Sequence, residues 1–207
     1  DCFVSPPAIA DELTVVPTTE TAIPTSNADS SSSGRPPISP ELRDLRNRVG
    51  VKFTYLICPA AFRPHKNHQE LFNAMRYVYT NLQLVLTTGE SHNPSATAAV
   101  QRIINEINMG HRILVAGSLS RQDYLTLVRG AEALVCPSLD EGFGIPVAEA
   151  QAMGIPVISS RCGGLAEVAR GSLEFDPTDH QDIAKKITDL TADDVLRDKI
   201  IADGRLN

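Results

Sequence analysis

Short apolar runs alternate with amphipathic segments from residue 54 onward, and that rhythm leaves few architectures open to the chain. Residues 55–58 (Tyr-Leu-Ile-Cys), 82–87, 112–116, 133–136, 155–159 and a weaker 173–175 have the length and apolar character of buried strands. Between them the spacing predicts helices over 68–79, 96–109, 120–130, 146–153 and 165–169, followed by two more over 179–190 and 192–202. Leu71, Phe72, Met75 and Val78 share one face of the first helix, and Asn67 with Glu70 makes the pattern of a capping box at its start. Val100, Ile103, Ile104 and Ile107 do the same for the second, which Gly110 is expected to close. Ser120 with Asp123 caps the third. Continuous apolar strands separated by amphipathic helices require a mostly parallel sheet covered on both faces. The expected fold is therefore α/β, a Rossmann-like doubly wound parallel sheet, with its ligand beyond the carboxyl ends of the strands.

Ahead of residue 40 the chain changes character. Residues 17–40 are dominated by Pro, Ser and Thr, with four serines in a row at 30–33, and hold too little apolar surface to offset their ordering entropy. They read as a linker. Residues 11–16 read as a short strand ending at Pro17, and residues 40–49 as a brief charged helix. The domain boundaries expected are thus 1–16, a linker with a short helix over 17–49, and a folded domain over 50–207.

Charge and composition narrow the function. The chain carries 19 Lys and Arg against 25 Asp and Glu, which argues against a nucleic-acid surface spread over the domain. Trp is absent and aromatics are 5% of residues, which disfavours a base-stacking platform. Cys2, Cys58, Cys136 and Cys162 are scattered, without zinc or redox spacing, so free thiols in a reducing, cytoplasmic setting are expected. No apolar run approaches the roughly 18 residues of a membrane span, and no signal-peptide pattern opens the chain.

The chemistry concentrates in the loop that leaves the strand ending at Cys136 and opens a helix at Pro146. Proline fits the first helical turn, where its missing N–H costs nothing. Gly142 and Gly144 allow a ligand to approach the backbone closely, and the unpaired N–H groups at a helix start suit an anion such as a diphosphate. Glu141 and Glu149 flank that site with seven residues between them. Carboxylates repel phosphate and accept well from hydroxyls, so both are assigned to hydroxyl groups, with helix capping and solvation as the plainer alternative. A second cluster, Arg63-Pro64-His65-Lys66-Asn67-His68, puts two cations just before a helix start, where the helix dipole disfavours them unless an anion neutralises them. A solvated surface pair is the alternative there. His65 and His68 are three residues apart, but no third ligand lies nearby and no metal site is expected. A third segment, Gly163-Gly164-Leu165-Ala166-Glu167-Val168, is another glycine turn into a helix; it either approaches the same crevice or only needs positive φ.

Residues 137–157, from Pro-Ser-Leu-Asp-Glu-Gly-Phe-Gly-Ile-Pro to Met-Gly-Ile-Pro-Val, resemble the signature of retaining GT-B glycosyltransferases of the glycosyl transferases group 1, or GT4, family. Residues 63–68 resemble that family's basic phosphate motif and residues 163–168 its following glycine turn, so the likeness extends in order over about residues 50–203. The resemblance implies one half of a GT-B fold. By position it implies that Arg63 and Lys66 hold the donor diphosphate and steady the leaving nucleotide. Glu141 and the N–H groups of Phe143 and Gly144 would bind hydroxyls of the donor sugar, and Glu149 the ribose. Gly117, Ser118 and Leu119 would border the base, with Gly142, Ile145 and Val147 completing the donor site. The donor would be a nucleotide diphosphate sugar, GDP-mannose or a UDP-hexose, used without a required metal or other cofactor.

Family enzymes also have an N-terminal acceptor-binding domain and a C-terminal helix that crosses back to it. The resemblance therefore implies that residues 1–16 are a remnant of that domain's end, and that this chain is the donor-binding half. Its partners would be a nucleotide sugar, the acceptor domain and a carbohydrate or lipid-linked acceptor, at the cytoplasmic face of a membrane. The alternative is a non-catalytic nucleotide-sugar-binding or assembly module. A dinucleotide-dependent oxidoreductase is disfavoured, since no Gly-x-Gly-x-x-Gly turn follows the first strand.

Overall fold

The computed structural model describes residues 38–78, 81–88 and 93–207, and the strand expected at 11–16 and the Ser/Pro-rich segment lie outside them. The described residues belong to the unit from Pro37 to Asn207. Its sheet has six parallel strands in the order β3-β2-β1-β4-β5-β6. The strands are β1 (Thr54–Pro59), β2 (Leu82–Thr87), β3 (Ile113–Gly117), β4 (Ala133–Cys136), β5 (Val157–Ser160) and β6 (Leu173–Phe175). The helices are α1 (Pro40–Val49), α2 (His68–Met75), α3 (Pro94–Glu106), α4 (Arg121–Gly130), α5 (Ile145–Ala152), α6 (Leu165–Val168), α7 (His180–Ala192) and α8 (Asp194–Arg205).

Strand periodicity explains the double winding. Successive β1 side chains point to opposite faces, so Leu56 and Cys58 join one core with α2, α3 and α7, whereas Tyr55 and Ile57 join another with α1, α4, α5 and α6. Both sets are fully buried, which is why β1 reads as a continuous apolar run.

Several local expectations change. α1 was grouped with the linker, yet it packs on α4: Leu45 is buried in the second core, and a Cβ at Gly130 would meet Leu42 at 2.4 Å. α1 therefore packs as part of the unit from Pro37 to Asn207. Asn67 makes no capping hydrogen bond; it adopts a left-handed φ of 56° and its carboxamide is used elsewhere, as described below. α3 begins at Pro94, capped by Asn93, and Asn108 at φ 54° closes it instead of Gly110. The Asn108 N–H donates to Asn105 and the Met109 N–H to Ile104, a Schellman closure with Asn in the place glycine usually takes.

Candidate functional site

Strand order reverses between β1 and β4, and the crevice that opens at the carboxyl ends there is walled by the loops 60–67 and 137–144. These walls are tied together by backbone and side chain. The Leu139 N–H donates to the His65 carbonyl at 2.7 Å. The Asn67 carboxamide donates to the carbonyls of Pro137 at 3.0 Å and Pro177 at 2.7 Å, joining three loops at one point. Below, the Ser138 carbonyl accepts from the Ser160 hydroxyl and, at 3.1 Å, from the Cys162 thiol, which fastens the loop to the end of β5.

Between the walls the Lys66 ammonium is ion-paired with the Glu141 carboxylate. Both side chains are largely covered, at 17% and 16% exposure, and the Ser138 hydroxyl donates to the same carboxylate at 3.0 Å. The cation expected to seek an anion thus has a carboxylate of its own chain, and both contacts to Glu141 fall on the one oxygen, Oε2. A cavity of about 130 Å³ lies here, lined by Cys58, Ala60, Lys66, Ser138, Glu141 and Gly144 among others. Small-molecule pockets typically enclose roughly 300–1,000 Å³, so a larger ligand would rest on this crevice and not inside it. Its floor is uncharged: burial pushes the Cys58 thiol up, and the Cys136 thiol up to about 11.

Gly144 caps α5 at φ 74°, and a Cβ there would stand 2.6 Å from Leu165 Cδ1. The N–H groups of Val147 and Ala148 turn back to the Gly144 carbonyl; among the described residues no acceptor takes those of Phe143, Gly144 or Ile145. They remain available to an anion or hydroxyl. The glycine turn at 163–164 does more than relieve backbone strain. A Cβ on Gly164 would lie 1.8 Å from the Gly142 carbonyl oxygen, and the Gly164 N–H donates to the Glu141 carbonyl at 3.0 Å. This turn is a brace pressed against the loop.

The second carboxylate, Glu149, is gripped by both arms of the Arg121 guanidinium, one contact being 3.0 Å. Arg121 also lies over the Tyr124 ring, 5.5 Å from its centroid. Sequence reasoning missed Arg121. Its position as the first residue of α4, where a cation is disfavoured, was the same signal that singled out Arg63 and Lys66.

The structure gathers Lys66, Glu141 and Gly144 at the crevice. Gly142 and Phe143 are exposed in the loop that leads into α5, Phe143 at 64%, and Ile145, the first residue of that helix, is 60% exposed. Gly117 ends β3, and Ser118 and Leu119 lead from it into α4, so they run towards Arg121. Arg63 does not line the cavity, and among the described residues its exposed side chain has no ion pair or hydrogen bond. Val147 is a correction: its side chain is fully buried in the core and its N–H is taken, so it presents nothing to a ligand. His68 is a core residue, packed edge-on to Phe62 at 5.1 Å and near Phe72. Burial, helped by the Lys66 charge and opposed by a hydrogen bond with the Ala60 backbone, lowers its pKa to about 4. Among the described residues no three His, Cys, Asp or Glu side chains form a metal-binding group, and no helix is long and apolar enough to cross a membrane.

Residues 45–207 match the model of the family described as glycosyl transferases group 1. A D-inositol 3-phosphate glycosyltransferase of Xylanimonas cellulosilytica is 29% identical over 166 residues, covering 78% of this chain and 40% of that protein. An MMP alpha-(1->4)-mannosyltransferase of Mycolicibacterium hassiacum is 37% identical over 127 residues, covering 60% of this chain and 28% of that one. Among solved structures, the Anabaena protein HepE in complex with UDP and glucose superposes with a TM-score of 0.70 at 20% identity, over 81% of this chain and 47% of that chain. The chain spans less than half the length of the curated relatives it matches.

Proposed function

Because the chain belongs to the glycosyl transferases group 1 family, we propose that it is the donor-binding half of a retaining, GT4-type GT-B glycosyltransferase. That enzyme would move a hexose such as mannose from a nucleotide diphosphate sugar to a hydroxyl of a polysaccharide or glycolipid acceptor. The observation that carries this reading is the Lys66–Glu141 pair at the switch point, next to the unclaimed N–H groups before Pro146.

In this reading Lys66 exchanges one carboxylate for a diphosphate of higher charge. Arg63, on the same loop and without a partner among the described residues, adds its planar fork. Glu141 accepts from hydroxyls of the donor sugar, as the N–H groups of Phe143 and Gly144 donate to them. As the bond to the sugar breaks, negative charge collects on the departing diphosphate, and the cation and the helix start stabilise it there. No metal is needed for that neutralisation. Glu149 takes the ribose hydroxyls, and residues 117–119 border the base. A relative named as a mannosyltransferase and a structural neighbour solved with UDP and glucose support a nucleotide-sugar donor, with GDP-mannose and UDP-hexoses both compatible. The shallow crevice supports a second, acceptor-binding domain that closes over it.

Calorimetric titration with UDP, GDP and their sugars tests the reading. One nucleotide should bind, and Lys66→Ala and Glu149→Ala should each weaken it about tenfold, the loss of one charge-assisted contact. If neither nucleotide binds, or both variants bind like the parent chain, the donor site is misassigned.

A further inference from the structure

We infer that Arg121 is a built-in competitor for the ribose-binding carboxylate: its guanidinium occupies the Glu149 oxygens that a nucleotide's vicinal diol would take, and the diol must displace it. This rests on the ribose role proposed for Glu149. Three observations lead to it. First, Arg121 sits at the start of α4, where a cation is disfavoured. The acid of that turn, Asp123, pairs with Arg48 instead, so Glu149 is the charge partner of Arg121. Second, the fork holds both carboxylate oxygens. A vicinal diol also presents two parallel donors, so the two ligands seek the same edge. Third, exposure is lopsided: the Arg121 side chain is 62% exposed and the Glu149 side chain 20%. The carboxylate is shielded and its cover is on the outside.

An ion pair with an exposed partner is weak, so the cover opens at small cost. The Tyr124 ring gives the guanidinium a flat face close by, which keeps it near the site. Arg121 thus keeps the empty carboxylate neutralised and subtracts from nucleotide affinity by the strength of the fork.

The test uses the full 207-residue chain, with UDP and GDP, their 2′,3′-dideoxy analogues, and the variants Arg121→Gln and Arg121→Lys. Arg121→Gln should bind the ribonucleotide about two- to fivefold more tightly, the range set by a half-exposed ion pair. It should leave the dideoxy analogue unchanged. Arg121→Lys, a point charge without the fork, should fall between. On a Glu149→Ala background, Arg121→Gln should give no further gain. Weaker ribonucleotide binding by Arg121→Gln, or an equal change for both analogues, overturns the competitor. A parent chain that binds ribo- and dideoxynucleotides alike removes the ribose role of Glu149, and the competitor falls with it. A ribose preference that Arg121→Gln leaves untouched sinks the competitor alone.

Discussion

Glu141 and Glu149 sit either side of one helix start and each holds a cation, yet the two ends of the site are built on opposite principles. At the crevice, Lys66 and Glu141 are covered alike, Ser138 donates to Glu141, and the pair stands between loops fastened to each other and to β5. At the rim, Arg121 is mostly in water and only its Glu149 partner is sheltered. Two covered charges lean on each other, because removing one strands the other in a poor solvent. At the rim, water can stand in for the exposed partner. The comparison teaches that the crevice end is preorganised and the rim end is exchangeable.

The contrast can be broken from the crevice side. Gly164→Ala puts a methyl group into the Gly142 carbonyl, at a backbone φ of −66° that any residue tolerates, so the loss reports the contact alone. The expected cost is about 3 kcal/mol or more in urea unfolding, with nucleotide binding lost as well. Acid should loosen the same end. The unfolded chain's His68 titrates near 6.5 and the folded one near 4. Above 6.5 neither state holds the proton. As pH falls from 6.5 towards 4, the unfolded state gains a proton that the native state refuses. Stability should drop through that window, by up to about 3 kcal/mol, and level off below it. His68→Phe should flatten this limb of the pH profile; an unchanged slope would place the acid sensitivity elsewhere. The comparison is sharpened by two double-mutant cycles on stability. Lys66→Ala with Glu141→Ala should couple by about 1–3 kcal/mol, and Arg121→Ala with Glu149→Ala by less than about 1 kcal/mol. Equal couplings would erase the distinction.

Much of this was legible in the residue order, and the physical reasons differ by level. β1, β2 and β4 are buried on both faces and so spell continuous apolar runs, which announce a parallel sheet before any contact is known. Ser120 caps α4 as its spacing with Asp123 suggests, because that bond is local. Asn67 misled for the complementary reason: its partners, Pro137 and Pro177, lie 70 and 110 residues away, and they outcompete the local cap. The Lys66–Glu141 pair spans 75 residues and the Arg121–Glu149 pair 28, so neither carries a local signature. Composition could nominate these charges, but only the folded strand order brings each pair together. Val147 shows the opposite failure, since a residue inside a signature was credited with a ligand contact although its helix turns it inward.

The brace between Gly164 and the 141–144 loop also bears on how such a site could be transplanted. With one turn's backbone filling the space a single methyl would occupy above the other, the two segments keep their shapes only as a matched set. A designer grafting the loop ahead of Pro146 onto a new scaffold would have to carry residues 161–165 with it. Insertions that lengthen either segment should be tolerated only when the other changes in step.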